Sequence, residues 1–310
     1  MMNMMSFPPD YKSGFVALMG PPNVGKSTLM NAVLGEKIAA VSPWPQTTRQ
    51  RQMGILTLEN AQIIFVDTPG VHHPLHRLGE YMNEEANDVL HECDLTILVV
   101  DVSHLPNEED LIFAKAVGDK KTNIPAILVL NKIDITDETV FDTHQSAYLE
   151  ILPQVQDSIS ISATRGDNLD KLISLTRLLL PESPPFFPQD QLTDLYERDI
   201  AADLIRESVI LHLRDEVPHS VAIRIDEYKE RNHHGAYIAA TLFVERDSQK
   251  GIVIGQGGNM LKKIGIAARK EIEAMSGRKV YLQLRVKVRK NWRNDEAALN
   301  LFGFGRSTVK

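Results

Sequence analysis

Gly20-Pro21-Pro22-Asn23-Val24-Gly25-Lys26-Ser27 lies between an apolar run, Phe15-Val16-Ala17-Leu18-Met19, and a helix-like segment, Ser27 to Leu34. A G-x-x-x-x-G-K-S spacing between a strand and a helix is the phosphate-binding loop of a nucleoside triphosphatase. The glycines let several backbone N–H groups converge on one anion, and the helix N-terminus adds positive partial charge. Lys26 is suited to the β- and γ-phosphates and the Ser27 hydroxyl to Mg²⁺. Asn23, Val24, Gly25, Lys26, Ser27 and Thr28 are the candidate phosphate-side residues.

Working outward, apolar runs at 15–19, 53–58, 62–66, 95–100, 126–130 and 159–161 alternate with helical patterns near 25–34, 78–90, 108–118, 141–151 and 168–180. Short strands alternating with helices predict an α/β domain, a mostly parallel sheet with helices on both faces. Only Glu59-Asn60-Ala61 separates the second and third runs, which reads as one antiparallel hairpin at the sheet edge.

Asn131-Lys132-Ile133-Asp134 follows the fifth run, at the carboxyl edge where α/β sheets bind ligands. The Asp134 carboxylate can accept from guanine N1–H and the 2-amino group, donors that adenine lacks there. Leaving a buried carboxylate unpaired discriminates strongly. Asn131 would tie this loop to the phosphate loop, and the Lys132 stem would cover the base. Ser162-Ala163-Thr164 is a second base-side loop, where the Ala163 N–H would meet guanine O6. The competing reading makes Asp134 a helix N-cap.

Asp67-Thr68-Pro69-Gly70 ends the third run. Asp67 is placed to hold Mg²⁺ through water and the Gly70 backbone to sense the γ-phosphate. Thr47-Thr48-Arg49 lies in the loop before the second run, where a threonine can bind Mg²⁺ only while the γ-phosphate is present. Either threonine fits, with Thr48 preferred. No catalytic side chain is assigned, and no arginine is an obvious finger, Arg49 and Arg51 being nearest in sequence. Stabilisation of the transferring phosphate falls to Lys26, Thr48 and Gly70. Val71 occupies the place where Ras-like proteins put a water-orienting glutamine, so intrinsic hydrolysis is expected to be slow. His72, His73 and His76 follow. Pro74 disfavours the helix that a metal-binding pair would need, and they read as solvated histidines of a switch loop.

The chain has 310 residues and one cysteine, Cys93, read as a core filler in a reducing cytoplasm. No apolar stretch reaches the length of a membrane span, and Met1 to Asp10 does not read as a signal peptide. The net charge of −7 hides an asymmetry. Residues 1–183 hold 13 Lys and Arg against 24 Asp and Glu, whereas residues 251–310 hold 13 against 4. The basic end is aimed at a polyanion.

Four prolines within 181–188 mark an extended linker. The expected organisation is a nucleotide-binding domain at 10–182, a linker at 183–190 and a second domain at 191–310. That second domain reads as a helix from Leu192 to Leu213, two strands joined through Arg231-Asn232-His233-His234-Gly235, a Gly-rich turn at 255–258 between helices, and a strand from Val280 to Lys290. The order α-β-β-α-α-β and the loop Gly255-Gln256-Gly257-Gly258 match a type II KH domain, whose G-x-x-G loop clamps the backbone of single-stranded nucleic acid. Lys262 and Lys263 lie one turn on. In the last strand Leu282, Leu284, Val286 and Val288 alternate with Gln283, Arg285, Lys287 and Arg289, and Lys290, Trp292 and Arg293 extend the basic ridge. The competing reading of Trp292 is a core aromatic.

The five nucleotide elements, in order, resemble a translation-factor-type GTPase, and Val71 resembles the group with a hydrophobic residue in place of the catalytic glutamine. In that group an asparagine at the position of Asn23 accompanies a potassium ion beside the phosphates. With the Thr-Thr-Arg loop, the Pro-rich segment, Leu192-Thr193-Asp194, Glu216-Val217-Pro218-His219-Ser220-Val221, Gly251-Ile252-Val253-Ile254-Gly255 and Trp292-Arg293, nearly the whole chain resembles the Era family of bacterial GTPases. That resemblance implies GTP and GDP with Mg²⁺, binding near the 3′ end of 16S ribosomal RNA, action on the maturing 30S subunit in the cytoplasm and peripheral membrane contact; a monomer is the default expectation. The rival reading is a GTPase that docks a protein or membrane-linked complex through its KH-like domain.

Overall fold

The computed structural model describes residues 7–42, 44, 47–118, 124–231 and 235–304. Most of the turn read over Asn232-His233-His234 and the first six residues therefore lie outside the description. By contact the chain divides into two units, one of residues 1–36, 49–73 and 82–194, the other of residues 37–48, 74–81 and 195–310.

The first unit alternates as the apolar runs predict: β1 (Lys12–Met19), α1 (Lys26–Leu34), β2 (Gln52–Leu58), β3 (Ala61–Asp67), α2 (Arg77–Glu92, its first turn grouped with the second unit), β4 (Leu95–Asp101), α3 (Glu108–Gly118), β5 (Ala126–Asn131), α4 (Glu138–Ile151), β6 (Asp157–Ser160) and α5 (Leu169–Leu179). Sheet order is β2-β3-β1-β4-β5-β6. All pairings are parallel except β2–β3, the edge hairpin. Every residue of β3, β4 and β5 is buried, because helices cover both faces and leave no solvated side for alternation. Cys93 is buried, and burial, the largest influence, pushes its thiol up to about 12.

Helix α4 begins three residues before its expected start, because Asp137 caps it by accepting from the Thr139 N–H. The proline-rich segment is bound to the first unit. Gln62, buried within β3, accepts from the N–H groups of Phe186 and Phe187 and donates to the Phe187 carbonyl at 2.9 Å. Phe15 packs on Phe186 with ring centroids 5.2 Å apart.

The second unit contains α6 (Glu197–His212), β7 (Ala222–Arg231), β8 (Gly235–Val244), α7 (Asp247–Ile254), α8 (Asn259–Ser276), β9 (Lys279–Val288) and α9 (Glu296–Leu301). Its sheet runs β7-β8-β9, with β8 and β9 parallel. One expectation is corrected and one helix is added. Helix α6 starts five residues later than Leu192, because the Leu192 carbonyl accepts the Ile55 N–H at 2.8 Å and Tyr196 is extended. Helix α9 was not read from the sequence: its six residues are too few for a periodic pattern, although Asp295 caps it. The segment 37–48 belongs to this unit: Lys37 Nζ lies 2.8 Å from both Glu207 and Glu271, and Ile38, Ala39 and Ala40 are buried.

Candidate functional site

The phosphate loop connects β1 to α1. Gly25, with φ +100°, sits in left-handed backbone just ahead of the helix. A Cβ there would stand 2.4 Å from Asn131 Nδ2, so this position is sterically closed to any side chain. Lys26 is buried and donates to the carbonyls of Gly20 at 3.0 Å and Pro21 at 2.8 Å. Burial is the largest influence on its ammonium and lowers it to about 8, against the opposing pull of Asp67 and Glu109. Asn23 stands exposed at the tip, with φ +64°.

The Ser27 hydroxyl donates to Asp67 Oδ2 at 2.6 Å, and Asp67 is fully buried at the end of β3. Two hard oxygen donors side by side at a helix start fit Mg²⁺. Thr68 Oγ1 donates to the Leu18 carbonyl at 2.8 Å, locking this turn to β1. Gly70 lies against the phosphate loop, where a Cβ would meet Pro22 N at 2.7 Å. Val71 is buried among Ala17, Met19, Val66 and Val89, with its N–H bonded to the Gly20 carbonyl. Its side chain therefore points into the core. His72 is half-buried, its ring Nδ1 3.0 Å from the Gly70 carbonyl, and Asn83 of α2 brackets its backbone. This corrects the solvated reading of His72. The role of Asn83 carries no motif by which the sequence could show it.

At the base end, Asn131 terminates β5 and is buried. Its Nδ2 donates to the Val24 carbonyl at 2.8 Å, and its Oδ1 accepts the Ala163 N–H at 3.0 Å. Asp134 is held from the other side by the Ser162 hydroxyl at 2.7 Å. The cap of the following helix is Asp137, which leaves Asp134 to face the loop of residues 162–164. Thr164 is exposed at that loop. Lys132 has φ +70° and donates to Asp101 Oδ2 at 2.6 Å, a partner the sequence reading missed.

The Thr47 hydroxyl lies 2.6 Å from Ser42 Oγ and 3.0 Å from the Trp44 carbonyl. In the second unit, Gly255, Gly257 and Gly258 have φ of +72°, +60° and +81°. A Cβ at Gly255 would strike Met260, whereas positions 257 and 258 face open space. Gln256, Lys262 and Lys263 are exposed beside them, as are Arg285, Lys287 and Lys290. Arg289 pairs with Asp295 at 3.1 Å and Arg293 with Glu245 at 2.6 Å. Trp292 is fully buried, donates to the Ser220 carbonyl at 2.7 Å and packs on Phe302 and Phe304. The ridge expected over residues 290–293 is thus interrupted: Trp292 has no exposed face to offer a base.

A model of the 50S ribosome-binding GTPase family matches residues 15–132, and a KH-domain model matches residues 216–293. The chain is 47% identical over 295 residues to the GTPase Era of Geobacter metallireducens, which spans 95% of this chain and 98% of that protein. It is 45% identical over 302 residues to the GTPase Era of Caldicellulosiruptor saccharolyticus, which spans 96% and 99%. Two solved structures superpose with a TM-score of 0.88 at 39% identity, each over 95% of this chain and 99% of the other. One is Era in complex with MgGDPNP and nucleotides 1506–1542 of 16S ribosomal RNA; the second is an Aquifex aeolicus Era variant bound to GDP·AlF4⁻.

Proposed function

Because this chain belongs to the Era family of GTPases, we propose that it is a GTP-driven switch that binds the 3′ region of 16S ribosomal RNA and assists maturation of the 30S subunit. The observation that carries the reading is 47% identity to a GTPase Era over 95% of the chain, together with a carboxylate, Asp134, held by Ser162 in the base-side loop.

The enzyme hydrolyses GTP to GDP and phosphate. Asn23, Val24, Gly25, Lys26, Ser27 and Thr28 surround the phosphates. Lys26 exchanges its two carbonyl partners for phosphate oxygens, whose negative charge offsets the cost of its burial. Ser27 and Thr48 would hold Mg²⁺, with Asp67 acting through water, and the ion would supply charge that neutralises the phosphates. Asn131, Lys132, Asp134, Ser162, Ala163 and Thr164 receive guanine. For its N–H to reach guanine O6, Ala163 must share or yield its bond to Asn131. Gly70 follows the γ-phosphate. Val71, buried in the core, orients no water, and hydrolysis is slow without another source of charge. The exposed amide of Asn23 suits a potassium ion.

RNA binds over Gly255, Gln256, Gly257 and Gly258, where open backbone admits phosphates, with Lys262, Lys263, Arg285, Lys287 and Lys290 alongside. The cytoplasmic placement follows from that partner. Among the described residues no helix is long and apolar enough to cross a membrane.

The test is GTP hydrolysis with and without a short RNA matching the 3′ end of 16S ribosomal RNA, wild type beside Gly258→Asp. Stimulation that disappears in the variant supports the reading. Failure of the wild type to bind the RNA shifts it to a protein-docking module.

A further inference from the structure

We infer that Asp101 is a positioning residue for the guanine site, holding the Lys132 side chain in the place from which its stem covers the base. The inference rests on the assignment of Asn131, Lys132 and Asp134 to guanine.

Asp101 is the last residue of β4, paired in register with Asn131 on β5. The two strands therefore end together. The Val102 N–H continues the ladder to the Asn131 carbonyl at 3.0 Å. Lys132 is the next residue and turns into left-handed backbone, a conformation costly for a lysine. That turn brings its Nζ to 2.6 Å from Asp101 Oδ2. The Asp101 side chain is 12% exposed and that of Lys132 29%, so water screens the pair incompletely.

The carboxylate is itself held. Its Oδ1 accepts the Ser103 N–H at 3.0 Å and the Ser103 hydroxyl at 2.6 Å. The Tyr148 hydroxyl, fully buried on α4, donates to the Asp101 carbonyl at 3.0 Å. Burial, the largest influence, pushes the Asp101 carboxyl up, but the hydrogen bonds from Lys132 and Ser103 outweigh it, and the group stays below its ordinary value. A charged anchor whose carboxylate is fixed by two further hydrogen bonds, and whose backbone carbonyl is fixed by a third, thus sets where the ammonium lies. The four-carbon stem between that ammonium and the strained backbone then has little freedom. Lying over a base costs it little additional entropy.

Asp101→Asn isolates the effect. Its amide oxygen still accepts from Ser103, while its NH₂ faces the Lys132 ammonium, so the anchor is lost together with the longer contact of Oδ2 to His104 Nε2 at 3.7 Å. The expected result is a KM for GTP and a dissociation constant for GDP raised about fivefold to tenfold, with kcat at saturating GTP and the melting temperature nearly unchanged. Asp101→Glu restores part of the affinity. Unchanged GDP affinity in Asp101→Asn overturns the inference. So does a loss of GDP affinity accompanied by a lower melting temperature, which marks a purely structural role. Asp134→Asn serves as the control on the base-site assignment. Its amide can donate to the 2-oxo group of xanthine, so preference should move from GTP to XTP. If that shift occurs while Asp101→Asn binds GDP normally, the base site stands and the role of Asp101 falls. If Asp134→Asn keeps its preference for GTP, the base-site assignment itself fails.

Discussion

Asn131 holds the carbonyl of Val24 at 2.8 Å, across a sequence gap of 107 residues, and so joins the base-binding end of the site to the phosphate loop. The same side chain accepts the Ala163 N–H, so one buried amide positions three loops. Asn131→Ala would leave a buried carbonyl and a buried N–H unmet, at about 1–3 kcal/mol each. The expected outcome is a lower midpoint in urea unfolding and a marked loss of GDP affinity. Retention of both would show that the tie is dispensable.

Gly25→Ala should damage the same element from the other side. Its methyl would stand 2.4 Å from Asn131 Nδ2, on backbone with φ +100°. Left-handed strain for alanine adds about 1–2 kcal/mol. Nucleotide binding should collapse while the circular dichroism spectrum remains that of a folded chain. Because the two residues touch, the Gly25→Ala, Asn131→Ala double variant should lose less than the sum of the single losses. Additive losses would mean that the clash is not what disables Gly25→Ala.

Val71→Gln tests whether a glutamine alone could orient water here. Val71 is 5% exposed and packed in the core. Placing an amide there costs about 1–3 kcal/mol of stability. Single-turnover hydrolysis should not accelerate. A clear rate increase would mean that the side chain at this position can turn toward the nucleotide.

The lowered pKa of Lys26, about 8, predicts a pH effect with a definite sign. In the free protein Lys26 loses its proton as pH rises through about 8, whereas bound phosphates hold the proton in place. GTP affinity should therefore decline above about pH 8, and binding should take up protons there. Calorimetry near pH 9 in buffers of different ionisation enthalpy reads this directly. Between about 8 and the ordinary value of 10.5 the unfolded chain carries more protons, so nucleotide-free protein gains stability as pH rises across that window. Absence of proton uptake would place the Lys26 pKa outside this range.

Trp292 and Gly258 should separate stability from RNA affinity. Trp292→Ala removes a fully buried side chain, at about 3–5 kcal/mol, and should lower the melting temperature. Gly258→Asp faces open space, so its cost is confined to backbone strain at φ +81°. It should weaken RNA binding far more than it lowers stability. RNA affinity lost in Trp292→Phe at unchanged stability would instead give Trp292 a direct part in recognition.

The order of strands and helices in the first unit was legible because each strand is a short apolar run closed by a turn or a helix start. The nucleotide residues were legible for the same local reason: Gly20 to Ser27, Asp67 to Gly70 and Asn131 to Asp134 each lie on a single turn. Helix α9 and the true start of α6 were not, since one is too short for a period and the other is displaced by a bond from Ile55. Asp101, at the end of β4, and Asn83, within α2, escaped notice because an isolated acid or amide has no spacing to mark it.

What the sequence by itself determined is the succession of elements, the nucleotide class and the glycine-rich loop, because periodicity and motif spacing are relations between near neighbours along the chain. Only the tertiary structure decided that Trp292 lies inside, bonded to a carbonyl 72 residues away. It likewise decided that Val71 faces the core, that the proline-rich segment is bound through Gln62, and that Lys132 has an anion to hold. Burial and ion pairing are set by groups brought together from distant parts of the chain, and local pattern carries no record of them.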